Sequence, residues 1–286
     1  MSRAAVESVA IATKEGSREA ARVAQELSEW LRRRGLHLAV DERSHRAIDR
    51  DDIAVYDPQE RYDLLIVLGG DGTLMSVARA QAHRVPILGV NLGTLGFLTE
   101  INRGELYACL VETLAGRFET EARSLIDVDL QRVGGSRIAY RALNDVVVTK
   151  SALARIIDLR VEVDQRLVAR YRSDGLILST PTGSTAYNLS AGGPIVYPSL
   201  PVILITPICP HTLTHRPLVV PETSRIEVTL ETPDEEVYLT VDGQEGTTLE
   251  PGAKVCVGSS ESKAELVRIS GRSFYDSLRS KLRWGS

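Results

Sequence analysis

Residues 64–73 read LLIVLGGDGT, an apolar run that stops at two glycines, an aspartate, a third glycine and a threonine. A short aliphatic run bounded by turn residues reads as a buried strand that empties into a loop the size of a phosphate. Glycines let the backbone adopt positive φ and bring its N–H groups close to an anion. The helix expected from Leu74 turns its positive end toward the same place. Asp71 stands where phosphate chemistry needs a carboxylate, because a carboxylate beside phosphate is repelled unless a divalent cation or a substrate hydroxyl lies between them. Phosphoryl transfer is the simplest reading, and an ordinary tight turn with Asp71 in an Asx-turn is the alternative. The segment is not a P-loop, since no Lys-Ser or Lys-Thr follows the glycines, nor is it the G-x-G-x-x-G dinucleotide fingerprint.

Outward from this turn, up to about Phe118, apolar strands alternate with helical patterns. Val9 to Ala12, Leu36 to Val40 and Val85 to Val90 read as strands; Ser17 to Arg34 places Ala20, Val23, Leu27 and Trp30 on one helical face, and Leu74 to Ala82 reads as a second helix. Such alternation predicts an α/β N-terminal domain with a Rossmann-like, mostly parallel sheet. Arg43 to Glu60 is polar and aperiodic and reads as a loop, either closing over a bound nucleotide or merely solvated. A second glycine loop, NLGTLGFLTE at Asn91 to Glu100, follows the strand ending at Val90. Ligands of open parallel sheets bind outside the carboxyl ends of the strands, so both loops are expected to line one crevice, unless Gly93 and Gly96 only permit a bend.

From about Arg123, period two takes over: Ile126, Val128 and Leu130, then Ile157, Leu159, Val161 and Val163, then Ile226, Val228 and Leu230 alternate with polar residues. Successive half-buried strands predict an all-β, sandwich-like C-terminal domain. The expected division is an α/β domain over 1–120, a β domain over 121–270, and a last helix over about 271–286 that packs back on the first. Within the β domain, RSDGLILSTPTGSTAYNLSAGGP at Arg172 to Pro194 concentrates hydroxyls (Ser179, Thr180, Thr182, Ser184, Thr185, Ser190), an aromatic ring at Tyr187, and glycines at 183, 192 and 193. That set suits a base, a ribose and a diphosphate; a turn rich in small residues is the alternative. A serine hydrolase is disfavoured because the G-x-S-x-G elbow is absent.

The 286 residues, 43% hydrophobic and 25% charged, are ordinary for a globular chain of two domains, and the net charge of −4 leaves no electrostatic footprint for nucleic acid. Cys109, Cys209 and Cys256 are odd in number and far apart, which predicts reduced core thiols. His211 and His215 are bracketed by Pro210 and Pro217, which argues against a shared helical metal site. With no apolar run near the ~18 residues of a membrane span and no signal-peptide pattern, the cytoplasm is the expected compartment and no membrane partner is expected.

GGDGT at 69–73, NLGTLGFLTE at 91–100, LND at 143–145, the block at 172–194, PHTLTHRPLVV at 210–220, DGQ at 242–244 and SFYDSLRSKLRW near the end together resemble the NAD kinase family, in the family's order and over essentially the whole chain. The resemblance implies ATP-dependent phosphorylation of the 2′-hydroxyl of the adenosine ribose of NAD, with a divalent cation, Mg²⁺ by expectation. It implies Asp71 as catalytic base, with Gly69, Gly70, Gly72 and Thr73 as the phosphate and ATP loop. Asp71, Gly72, Asn144, Asp145, Arg155, Arg172, Asp174, Thr182, Thr185, Ala186, Tyr187, Asn188, Leu189, Ser190 and Gln244 are implied for NAD. Asp145 stands where the family often has glutamate. The family is typically oligomeric with sites completed across subunits, so a homodimer or homotetramer is expected. A related kinase acting on a lipid or sugar hydroxyl, and a non-catalytic dinucleotide sensor, remain as alternatives. The first should offer a membrane-facing helix, and the second should have lost the acid at position 71.

Overall fold

The computed structural model describes residues 4–48, 50–81, 83–93, 96–99, 101–233, 235–268 and 272–282. Thr94, Leu95 and Glu100 of the second glycine loop, and the ends of the expected last helix, lie outside them. The chain forms two units, residues 1–122 with 264–286, and residues 123–263.

The first unit is α/β. Strand β1 (Ser8–Thr13) leads to helix α1 (Arg18–Arg32), β2 (His37–Val40), α2 (Glu42–Ile48), β3 (Ala54–Val55), β4 (Leu64–Leu68), α3 (Asp71–Ala80), β5 (Pro86–Asn91), β6 (Ile101–Asn102) and α4 (Leu106–Leu114). The strands pair in parallel in the order β3-β2-β1-β4-β5, and Glu265 and Leu266 of the chain's last strand pair in parallel with β5. All of LLIVL in β4 is buried, as a strand covered on both faces requires. Helix α1 starts at Ser17, whose hydroxyl accepts from Ala20 N–H, and buries Ala20, Val23, Ala24, Leu27 and Leu31 at helical spacing.

Two sequence expectations differ from the structure here. Helix α3 begins at Asp71 rather than Leu74: Gly70 is the extended N-cap (φ −99°, ψ −172°), and its carbonyl accepts from Thr73 N–H and Leu74 N–H, so the loop shrinks to two glycines. The segment read as a loop over 43–60 holds α2 and β3, because Asp41 caps the short helix through Ser44 N–H and Ile53 fills the core.

The second unit is all-β apart from one short helix. After β7 (Glu119–Gln131) and β8 (Arg137–Ala142) come β9 (Asp145–Lys150), β10 (Ile157–Val163), β11 (Arg166–Ser173), β12 (Gly175–Ser179), a 3₁₀ turn (Thr182–Thr185), α5 (Tyr187–Ser190), β13 (Val202–Ile208), β14 (Leu218–Pro221), β15 (Ile226–Leu230), β16 (Val237–Val241), β17 (Glu245–Leu249) and β18 (Lys254–Arg268). One antiparallel sheet runs β14-β13-β12-β9-β16-β17, and β11-β10-β15 continues through the first part of β18 as another. Alternate residues of both, among them Val146, Val148, Leu176 and Leu239 from the first and Leu159, Val161, Val228 and Val255 from the second, share one core, which makes the unit a sandwich. The β16–β17 hairpin turns on Asp242 and Gly243, at φ 50° and 64°, the left-handed pair that a tight Asp-Gly turn favours. The described residues close with α6 (Phe274–Leu282), and Arg272 is ion-paired to Glu105, both within the first unit.

Candidate active site

In the first unit, α1 and α3 leave the neighbouring strands β1 and β4 toward opposite edges of the sheet, because β1 feeds β2 on one side and β4 feeds β5 on the other. Such a switch point opens a crevice at the carboxyl ends of the strands. A cavity of about 440 Å³ lies there, lined by Lys14, Ser17, Glu19, Gly69, Gly70, Asp71, Asn91, Leu92, Gly93 and Gly96. Both glycine loops therefore meet at one cavity. Lys14, Ser17 and Glu19 were missed by the sequence reading, and only the strand order, with β1 beside β4, would have found them.

Asp71 is the first residue of α3, where a negative charge is favoured by the helix dipole. Its carboxylate is held by the second glycine loop. Phe97 N–H donates to Oδ2 at 2.7 Å, while Leu98 N–H and Thr99 N–H at 3.1 Å and the Thr99 hydroxyl at 2.9 Å donate to Oδ1. A carboxylate offers about four lone-pair sites, so Oδ1 is saturated and the remaining capacity is on Oδ2. Only glycine fits at position 96, where a Cβ would lie 1.9 Å from Asp71 Oδ1. Gly69 likewise makes room for Thr73, whose hydroxyl would be 2.5 Å from a Cβ there. Gly70 caps α3 without a side-chain oxygen, and Gly72 lies in the first turn.

In the second unit, the antiparallel register sets Ser179 opposite Asp145 and Val241 opposite Val146. The end of β12, the start of β9 and the β16–β17 turn therefore meet at one end of the sheet. Asn144, Asp145, the turn from Thr182 to Thr185 and Gln244 gather there. Asp242, which the sequence reading placed in DGQ without a role of its own, clamps the group. Its carboxylate accepts from Leu143 N–H at 3.0 Å, Asn144 N–H at 2.7 Å and Asp145 N–H at 3.0 Å. Burial, reinforced by the charge of Asp242, pushes the Asp145 carboxyl up to about 7.

The hydroxyl-rich block divides in two. Ser179 and Thr180 donate to the carbonyls of Asn144 and Leu143, Ser184 donates to Pro181, and the Asn188 amide is shared among Ser184, Pro194 and Thr206, so these side chains staple the turn together. Thr182 Oγ1 and Asn144 Oδ1, by contrast, are buried with no hydrogen-bond partner. An unpaired buried polar atom is costly, and Ser28 Oγ, Gln81 Oε1 and Thr229 Oγ1 stand in the same condition elsewhere in the chain. Gly183 permits this packing, since a Cβ there would meet the Asn144 carbonyl oxygen at 2.2 Å. Ala186 and Leu189 are half-buried, and Tyr187 and Ser190 are exposed along the same segment.

Arg155, Arg172 and Asp174 are not brought to this end. Gly175, next to Asp174, pairs with Thr149 at the far end of β9, four residues from the Asp145–Ser179 pair, a separation of about 14 Å along a strand. Lys150 Nζ lies 3.8 Å from the Asp174 carboxylate, and both arginine side chains are exposed. Among the described residues no group of three or more His, Cys, Asp or Glu converges to hold a metal, and no helix is long and apolar enough to cross a membrane.

The family model for the ATP-NAD kinase N-terminal domain matches residues 9–118, and that for the ATP-NAD kinase C-terminal domain matches 143–269. The chain is 48% identical over 270 residues to the NAD kinase of Geotalea daltonii, covering 92% of this chain and 93% of that one. It is 50% identical over 270 residues to the NAD kinase of Geobacter sulfurreducens, with the same coverage of 92% and 93%. Among solved structures, yeast NADH kinase complexed with NADH superposes with a TM-score of 0.88 at 29% identity, over 99% of this chain and 89% of that one. An NAD kinase from Archaeoglobus fulgidus in complex with ATP gives 0.72 at 25% identity, over 96% and 98%.

Proposed function

The chain belongs to the ATP-NAD kinase family, and we propose that it transfers the γ-phosphate of ATP to the 2′-hydroxyl of the adenosine ribose of NAD, giving NADP and ADP, with Asp71 as the general base. The observation that carries this reading is the pair of buried, unpartnered atoms Asn144 Oδ1 and Thr182 Oγ1 at the sheet end that also holds the raised carboxyl of Asp145. Together they offer a ligand rich in hydroxyls the partners it needs, and Asp145 in its neutral form both donates and accepts. Thr185, Ala186, Tyr187, Leu189, Ser190 and Gln244 extend the binding surface, with Asn188 shaping it from within.

ATP takes the cavity of the first unit, its phosphates against Gly69, Gly70, Gly72 and Thr73 at the amino end of α3. Glu19 is the other carboxylate of that cavity, and one carboxylate plus substrate phosphates can hold Mg²⁺, which leaves Asp71 Oδ2 to the hydroxyl. The cation neutralises phosphate charge when bound. Asp71 orients the ribose hydroxyl through Oδ2 and accepts its proton late, since the nucleophile of a loose phosphoryl-transfer transition state needs little prior deprotonation.

Arg155, Arg172 and Asp174, toward the opposite end of the second unit from Asn144, fit a site completed by another subunit of a homodimer or homotetramer. Cys256 is buried and Cys109 half-buried, but Cys209 is exposed rather than a core thiol, because it lies just past the end of β13; the unpaired thiols suit a reducing, cytoplasmic compartment.

The test is NADP formation from ATP, Mg²⁺ and NAD by the protein and by its Asp71→Asn variant. We expect turnover to fall by about 10²-fold or more with NAD affinity kept, the range of general-base catalysis. A loss well under tenfold would assign Asp71 to the turn alone.

A further inference from the structure

The hydroxyl of Thr99 sits between two side chains of fixed polarity. It lies 2.9 Å from Asp71 Oδ1 and 2.9 Å from Asn91 Nδ2. The orientation of the Asn91 amide is set by Gly93 N–H, which donates to Asn91 Oδ1 at 2.7 Å. The nitrogen of that amide can therefore only donate to Thr99, and a carboxylate can only accept, so the Thr99 proton has a single place to go, Asp71 Oδ1. Thr99 is fully buried and Asn91 nearly so, which keeps water from competing for either bond.

We propose that Thr99, oriented by Asn91, is a positioning residue for the Asp71 carboxylate, a proposal that rests on the reading of Asp71 as the base. The backbone N–H groups of Phe97, Leu98 and Thr99 already tie the loop to α3. What the hydroxyl adds is the third donor on Oδ1. The two N–H groups already fill the lone pairs of Oδ1; the hydroxyl shares them as a side-chain donor that holds the carboxylate against rotation about Cβ–Cγ, so the substrate proton is received by Oδ2 in one defined direction. Orientation fixed before the reaction lowers the barrier without strengthening substrate binding, so the effect belongs in kcat.

The experiment compares Thr99→Val, which keeps shape and backbone N–H but loses the hydroxyl, with Thr99→Ser, which keeps it, each in the parent and in the Asp71→Asn background. Melting temperature, kcat and KM for NAD are measured for all. Thr99→Val is expected to lower kcat about tenfold to a hundredfold, the scale of one hydrogen bond to a charged group. KM should stay within about twofold, Thr99→Ser should restore kcat, and in the Asp71→Asn background Thr99→Val should change residual turnover by less than about twofold. Three results would overturn the proposal: unchanged kcat in Thr99→Val, an equal loss in both backgrounds, or no rescue by serine. A collapse of turnover in Asp71→Asn alongside any of these would sink the positioning role alone. Near-normal turnover in Asp71→Asn would remove the base and the positioning role together.

Discussion

Asp145 keeps its proton to a pH where an exposed aspartate has long lost it, and the folded protein carries the consequence. Its carboxyl is raised from 3.8 to about 7 by burial first and by Asp242 second. Between those values the folded chain holds a proton that the unfolded chain has released, so stability declines as pH climbs from about 4 to about 7 and then levels. Asp145→Asn imitates the neutral acid at every pH. The variant should therefore match the parent near pH 4 and exceed it at pH 8 by on the order of a few kcal/mol, read from urea midpoints at the two pH values. The sequence named Asp145 through its motif, yet its protonation was not legible. That state depends on Asp242, ninety-seven positions away, whose left-handed backbone at φ 50° aims its carboxylate at the LND segment. Asp71 was legible because glycine, aspartate and glycine after an apolar strand is a local pattern, whereas the donors that surround it come from a loop more than twenty residues later.

The turn after β12 owes its shape to contact with the backbone preceding β9. Thr180 N–H and the Ser179 hydroxyl both reach the Asn144 carbonyl, and Gly183 rests against the same oxygen. In Gly183→Ala the added methyl would overlap that carbonyl, so the turn and the LND segment must separate. We expect a stability loss of about 1–3 kcal/mol, as for other overpacked sites. KM for NAD should rise more than kcat falls, because Asn144 and Thr182 move apart while Asp71 belongs to another unit; steady-state kinetics and thermal melts check both. Strands and helices with strong periodicity were readable in advance, α1 and β4 above all. The start of α3 was not, since glycine 70 caps the helix without the side chain that usually announces a cap. Strand order was also hidden: nothing local in Lys14 or Ser17 reveals that β1 adjoins β4, and those residues reached the cavity only through that pairing.

For the whole molecule, the separation between the end of the second unit that holds Asp174 and Arg172 and the end that holds Asn144 turns into an experiment on assembly. If each site draws Asp71 from one subunit and the Arg155, Arg172 and Asp174 group from another, Asp71→Asn and Arg172→Ala are each defective alone. Mixed oligomers of the two would rebuild one intact site from the unaltered halves. Co-expression followed by isolation of the mixed species should recover NADP formation of about half of the parent's, as a two-site dimer allows. Recovery no greater than the sum of the separate variants would confine each site to one chain. A different kind of consequence follows from β18, whose early residues pair with β15 in one unit and whose late residues, Glu265 and Leu266, pair with β5 in the other. On the ribosome, the N-terminal sheet emerges first, but the edge of β5 at Pro86 and Ile87 has no neighbour among the described residues until Glu265 and Leu266 are translated. At about 5–20 residues per second, that edge waits roughly ten seconds or longer. The nascent first unit is thus obliged to remain an unfinished sheet while the whole β sandwich is being made, and it is closed only after those strands have been translated.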